Sequence, residues 1–232
     1  MNIVLLKNIV KKIKKRLSEI RDCIGSCVSY VNNGFQLFSK QTANNKWPYY
    51  EDDEIDAVVA VLKTGRVNYW TGDTCKAFES EFAEKFGAKH AIALANGTVA
   101  LELALRALGI SPGDEVIVPS RTFVATASAV VAVGGIPVFA DIDVLSQNTT
   151  AVFISEKITP KTRCIIVVHV GGNPCEMNPI CALAKQHNIR VIEDCAQAHG
   201  ASQNGRYVGT IGDVGAFSFC QDKIMSTGGE GG

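Results

Sequence analysis

Lys223 stands four positions after the apolar stretch Ala216–Phe219, and a glycine-rich run, Gly228-Gly229-Glu230-Gly231-Gly232, closes the sequence. An amine just past a buried strand becomes nucleophilic when desolvation lowers its pKa, as a Schiff-base lysine requires. Most lysines are solvated surface groups, so position alone does not separate the two readings. Asp194 ends a second apolar stretch, Arg190–Glu193, and Cys195-Ala196-Gln197 follow it. A carboxylate there is costly unless a cation or donors meet it. A protonated pyridine nitrogen is one such cation; a helix N-cap or a structural ion pair is the plainer alternative. Earlier, Ala95-Asn96-Gly97-Thr98 separate an apolar stretch from an Ala/Leu-rich segment. Free N–H groups at a helix start, a glycine that admits close approach and a threonine hydroxyl suit a phosphate, although an ordinary N-cap turn reads the same way. No G-x-x-x-x-G-K-[ST] and no G-x-G-x-x-G after a strand is present, so a phosphorylated cofactor fits better than a nucleoside triphosphate or a dinucleotide. The order is a phosphate-type turn, an aromatic segment, a strand-end Asp, then Ser218 and the lysine. Few cofactors other than pyridoxal 5′-phosphate (PLP) need all four.

These residues require elements to hold them, and the apolar pattern supplies candidates. Helical spacing predicts helices over Asp52–Lys63, Thr74–Phe86, Gly97–Leu108, Val124–Val133 and Asn178–His187, with Gly65 and Gly87 as stops. Short apolar runs predict buried strands at His90–Leu94, Glu115–Val118, Ile136–Ala140, Cys164–Val168, Arg190–Glu193 and Ala216–Phe219. Alternation of this kind predicts an α/β fold with a mostly parallel sheet and flanking crossover helices, whose ligands bind beyond the carboxyl ends of the strands.

The first residues differ from the rest. Ile3, Leu6, Val10, Ile13, Leu17, Ile20, Ile24, Cys27 and Val31 recur at alternating spacings of three and four, predicting one long amphipathic helix. Lys7, Lys14 and Arg21 flank this seam on one side and Arg16 on the other, which disfavours a parallel homodimeric zipper. Residues 1–46 carry nine Lys/Arg against two Asp/Glu, so a zero net charge hides a basic arm before an acidic body. A helix laid on that body, a loosely ordered extension and a membrane or partner helix all fit the pattern. Asn44-Asn45-Lys46 marks the boundary, giving an extension over 1–46 and a cofactor domain over 47–232. No base-reading motif accompanies the basic arm, so nucleic-acid binding is not expected.

The eight cysteines are scattered through apolar segments, with Cys164, Cys195 and Cys220 in or beside predicted strands, where a reduced thiol acts as a small hydrophobe. Cys23 and Cys27 are four apart with no His or Cys pair at zinc-finger spacing, so no metal is expected. No apolar run is long enough to span a bilayer, and Ile3–Leu6 precede the lysines rather than follow them as a signal peptide requires. A cytoplasmic location is the expectation.

The stretches Ala93–Leu105 (ALANGTVALELAL), Pro119–Ala127 (PSRTFVATA), Val191–Gly200 (VIEDCAQAHG) and Gly215–Gly232 (GAFSFCQDKIMSTGGEGG) closely resemble the DegT/DnrJ/EryC1/StrS family of PLP-dependent sugar aminotransferases. The similarity runs from about Trp47 to the last residue. The resemblance implies the large domain of a fold-type I PLP enzyme, a homodimer with active sites at the subunit interface, and a small C-terminal domain that this chain lacks. It implies that Lys223 carries PLP as a Schiff base and later moves the proton. Asp194 would bind the pyridine nitrogen and Gln197 would lie near the 3-hydroxyl. Gly97, Thr98 and Ser218 would hold the phosphate, and Phe123 would stack on the ring, although an aromatic in this segment equally suits a core. His169 and Glu230 lie in family-like segments without an assigned role. The implied reaction moves an amino group from glutamate to a nucleotide-linked keto-sugar, as in cell-surface polysaccharide or deoxyaminosugar biosynthesis. Some relatives are dehydratases with His in place of this lysine, so Lys223 favours transfer. Two competing readings are a non-catalytic scaffold built on a truncated PLP domain and a deoxysugar dehydratase.

Overall fold

The computed structural model describes residues 47–232; the predicted heptad helix, its basic flanks, Cys23 and Cys27 lie outside the described residues. The chain divides after Ala77 into two units, each taken by itself. In the first, helix α1 (Asp52–Lys63) opens with a reciprocal cap between Glu51 and Glu54, and three acidic residues occupy its first turn, where the helix dipole favours negative charge. Helix α2 (Thr74–Phe86) contains the division point.

The second unit is built on a five-stranded sheet. Its strands are β1 (Glu115–Pro119), β2 (Ile136–Ala140), β3 (Thr162–Val168), β4 (Arg190–Asp194) and β7 (Val214–Ala216), in the order β2-β1-β3-β4-β7. Every pairing in it is parallel. Helices α3 (Gly97–Ala107), α4 (Val124–Ala132), α5 (Ala151–Ser155) and α6 (Met177–Gln186) flank it, and a two-residue hairpin, β5 (Ser202–Gln203) with β6 (Arg206–Tyr207), lies between β4 and β7.

Because side chains alternate along a strand, each of the inner strands β1, β3 and β4 feeds two cores. Val116, Val118, Cys164, Ile166 and Ile192 meet Leu101, Leu105, Ala129 and Val130 of α3 and α4. Ile117, Ile165, Val167 and Val191 meet Ile154, Met177, Ile180 and Ala184 of α5 and α6. The layers are helix, sheet, helix. Burying each Val, Leu or Ile on either face stabilises the unit by about 1.5–3 kcal/mol, with an upper bound set by how compact the unfolded chain is. A third cluster joins Phe217 and Phe219 to Phe78, Phe82 and Phe86, so α2 is held by aromatic contacts to the segment after β7.

Two strand predictions need correction. His90–Leu94 forms no strand; Leu94 exchanges N–H···O contacts of 2.8 and 3.0 Å with Gly232, and the Ala93 N–H donates to Glu79 Oε1 at 2.8 Å. One paired residue does not make a ladder. The last strand is Val214–Ala216 rather than Ala216–Phe219; Phe217 and Phe219 owe their apolar character to the aromatic cluster, not to the sheet. The other predicted helices and strands are observed within two residues of their expected ends, and the α/β parallel architecture is that expected.

Candidate active site

The predicted site residues other than Phe123 lie after the carboxyl ends of β4 and β7 and at the first turn of α3; Phe123 follows β1 at the start of α4. Asp194 and Ala216 are level in the ladder, and the Cys195 N–H donates to Ala216 O at 2.7 Å. This pairing delivers Ser218 beside α3. A Cβ built on Gly97 would stand 2.8 Å from Ser218 Cβ and 3.2 Å from Phe217 O, so glycine is the residue that permits this approach. Asn96 caps α3, its Oδ1 accepting the Val99 N–H at 2.9 Å. Neither the Gly97 nor the Thr98 N–H has an acceptor among the described residues. With the buried Ser218 hydroxyl alongside, the start of α3 has the donors that a phosphate takes.

Asp194 is buried, and burial pushes its carboxyl above the ordinary aspartate range. The Thr126 hydroxyl, which donates to Oδ2 at 2.8 Å, and the Ala196 N–H, which donates to Oδ1 at 3.2 Å, pull the other way without outweighing it. Among the described residues no Lys, Arg or His forms a salt bridge with this carboxylate. A buried acid held by two neutral donors and lacking a cation suits a protonated ring nitrogen.

Thr126 was not singled out by the sequence, yet it ties α4 to Asp194. Its hydroxyl also meets that of Thr122, one helical turn earlier, at 2.6 Å; the spacing of four was the available signal. Phe123 lies between them as the N-cap of α4 and is 69% exposed. That exposure removes the core alternative and leaves a ring face free. Gln197 is also exposed, its Oε1 accepting the Gly171 N–H at 2.7 Å.

Lys223 follows a turn closed by its own N–H to Cys220 O at 3.0 Å. Its side chain is 19% exposed, and Nζ stands 3.0 Å from Asp222 Oδ2. The Lys223 charge acts on both Asp194 and His199, which places the amine in the same electrostatic neighbourhood as the strand-end acid. His199, not anticipated, is buried; burial pushes it down to about 4, and the Ser218 backbone pulls the other way without outweighing it.

Cys164 and Cys195 are wholly buried, whereas Cys220 is partly exposed. Burial pushes the Cys164 thiol up to about 12, so it is the inert hydrophobe expected. All the described cysteines are free.

The residues brought together fit PLP: a phosphate-type helix start, a buried acid without a cation, an exposed aromatic face, an amide and a lysine. Among the described residues, no helix is long and apolar enough to cross a membrane.

The model of the DegT/DnrJ/EryC1/StrS aminotransferase family matches residues 48–232. A UDP-N-acetyl-3-dehydro-alpha-D-glucosamine 3-aminotransferase from Acidithiobacillus ferrooxidans is 52% identical over 161 residues, covering 69% of this chain and 44% of that protein. The crystal structure of an aminotransferase from Psychrobacter cryohalolentis matches with a TM-score of 0.79 and 56% identity, over 81% of this chain and 47% of that one. A Streptococcus pneumoniae protein assigned as a sugar aminotransferase, in its PLP form, matches with a TM-score of 0.74 and 32% identity, over 79% of this chain and 50% of that one. The chain thus spans about half the length of these relatives or less.

Proposed function

The chain belongs to the DegT/DnrJ/EryC1/StrS aminotransferase family, and on that premise we propose that it is the PLP-binding part of a sugar aminotransferase. The donor is glutamate and the acceptor a nucleotide-linked keto-sugar. The observation that carries this reading is the convergence of Asp194, Gly97 and Ser218 on one end of the sheet, with Lys223 five residues beyond Ser218. The relative that acts on a UDP-linked dehydro-sugar supports the substrate class.

When bound, PLP supplies an electron sink for the pair of electrons left as a substrate C–H bond breaks. The protein's part is binding and proton traffic. The Gly97 and Thr98 N–H groups and the Ser218 hydroxyl hold the phosphate. Asp194 holds a proton on the ring nitrogen, a charge that its buried position makes effective. Phe123 would cover one ring face, and the Gln197 amide would lie near the 3-hydroxyl. Lys223 Nζ is the amine that would hold the cofactor covalently, and as a free amine it would accept and return the proton of the substrate carbon. A hydroxyl or imidazole in place of this amine would lack the covalent link.

The reading extends to a large domain over 47–232 with 1–46 as an appended segment, to a homodimer and to a cytoplasmic setting. Apolar side chains exposed beside the site, Phe123 and Val124, are in keeping with a partner surface. The test is the glutamate half-reaction. The chain is loaded with PLP, given glutamate, and the cofactor released by acid is quantified. Conversion to pyridoxamine phosphate with matching 2-oxoglutarate supports the proposal; PLP uptake without conversion rejects glutamate as donor for this chain.

A further inference from the structure

Beneath the candidate site lies a wholly buried pair, Glu193 and His169, that the proposed chemistry does not use. Glu193 Oε1 accepts the Ile211 and Gly212 N–H groups, both at 2.7 Å. Its Oε2 accepts the Gly209 N–H at 2.9 Å and stands 3.1 Å from His169 Nε2. Burial pushes this carboxyl up, but the His169 and backbone donors outweigh it and hold the group below the ordinary glutamate range. The other ring nitrogen, His169 Nδ1, accepts the Cys175 N–H at 3.0 Å. A ring nitrogen that accepts carries no proton, so the hydrogen sits on Nε2 and is donated to Glu193; the backbone donor fixes this tautomer.

His169, Glu193 and Cys195 have ligand-type atoms within 4.8 Å of one another. Nε2 carries a hydrogen and both carboxylate oxygens have donors, so the set is a hydrogen-bonded brace rather than a metal site. The brace joins three stretches of chain: the end of β3, the end of β4 and the loop 209–212.

What the brace supports is the turn that follows His169. Val170–Gly172 form a single 3-10 turn containing Gly171 at φ 62°, and the His169 N–H donates to Asp194 O at 3.3 Å. The Gly171 N–H donates to Gln197 Oε1 at 2.7 Å. A backbone donor must face the amide oxygen, so the Gln197 NH2 points away from the turn. Gly172 lies against the same residue: a Cβ there would stand 3.2 Å from Gln197 O.

We propose that Glu193 and His169 are positioning residues that fix the 170–172 turn and, through the Gly171 N–H, orient the Gln197 amide so that its NH2 faces the 3-oxygen of PLP. What Gln197 addresses rests on the proposed function; the brace and its hold on the turn do not.

Two readouts on the whole chain separate these parts. Amide hydrogen exchange is measured without cofactor, and PLP affinity is measured by titration. Both are made for the wild type, His169→Phe, Gln197→Ala and the double variant. His169→Phe is expected to speed exchange at Gly171 about tenfold or more and to weaken PLP binding roughly three- to tenfold, the worth of one hydrogen bond. In the Gln197→Ala background the same substitution should weaken PLP less than about twofold, because its route to the cofactor is gone. An equal penalty in both backgrounds overturns the proposal, since a merely structural role acts whether or not Gln197 is present. Unchanged exchange at Gly171 in His169→Phe overturns it as well. If that variant does not fold, His169→Leu, which likewise removes the donor to Glu193 and the acceptor for the Cys175 N–H, carries the same comparison. Should the wild type take up no PLP, the proposed function fails. Exchange at Gly171 then still decides the brace: faster exchange in the variant supports it and unchanged exchange overturns it.

Discussion

Lowering the pH should destabilise this protein through His199, by an amount the structure sets. The residue is 7% exposed, neither ring nitrogen makes a well-aligned hydrogen bond, and the Ser218 backbone is the polar group that acts on the ring. The rings of Phe217 and Phe219 lie 5.6 and 5.2 Å from it. Burial pushes it from the ordinary 6.5 down to about 4. A histidine depressed on folding is neutral in both states above the unfolded value and costs nothing there. As the pH falls through 6.5 the unfolded chain takes up a proton that the folded chain refuses, so stability is lost until about 4, where the folded form also protonates. The loss accumulated over that window is about 3 kcal/mol, at roughly 1.4 kcal/mol per unit. His199→Phe removes the titration and keeps an aromatic ring in the cluster. Urea unfolding of both proteins, from about pH 7 down to about pH 4, gives the comparison. Carboxylates such as Glu193 and Asp194 titrate in both and cancel. The wild type should lose about 3 kcal/mol more than the variant across the window. Parallel stability profiles would refute the reasoning, because they would mean that His199 is hydrated or bonded in the folded state.

Phe123→Ala should change the unfolding free energy by less than about 0.5 kcal/mol, because the ring is 69% exposed. It should nevertheless weaken PLP binding by up to about tenfold through lost stacking; a loss of about 3 kcal/mol or more in urea unfolding would return the ring to the core. Gly97→Ala drives a methyl to within 2.8 Å of Ser218 Cβ, so it should destabilise by about 1–3 kcal/mol and impair phosphate binding, read as PLP affinity. Thr126→Val removes a donor from buried Asp194, which should raise that carboxyl further and cost about 1–3 kcal/mol near neutral pH, where the acid is required ionised. Thermal unfolding in that variant should recover part of the loss as the pH is lowered.

The elements that position the site were legible because the signals that mark them are local. Alternating and three-four apolar spacings placed α3, α4, β3 and β4 to within two residues, since each is buried on a face that its own sequence declares. His90–Leu94 misled because an apolar run fits an extended segment as well as a strand; only a ladder partner decides, and that is not a local property. Phe217 and Phe219 misled in the same way, their partners being Phe78, Phe82 and Phe86 far back in the chain. Asp194, Ser218 and Lys223 were legible as an ordered set attached to strand ends. Thr126, His199 and the Glu193–His169 brace were not. Their character comes from contacts: a hydroxyl 68 residues from its carboxylate, a ring sealed among aromatics and a carboxylate that collects loop amides. Apart from the four-residue spacing of Thr122 and Thr126, nothing in residue type or spacing announces them.

The central claim is that Lys223 is the amine that binds PLP, and covalent trapping tests it most directly. The chain is saturated with PLP, reduced with borohydride, digested and mapped by mass spectrometry, alongside Lys223→Ala and its visible spectrum. One stoichiometric phosphopyridoxyl group on Lys223, with both label and visible band lost in Lys223→Ala, is the predicted result. Stoichiometric label on another lysine, or a visible band that survives in Lys223→Ala, would contradict it.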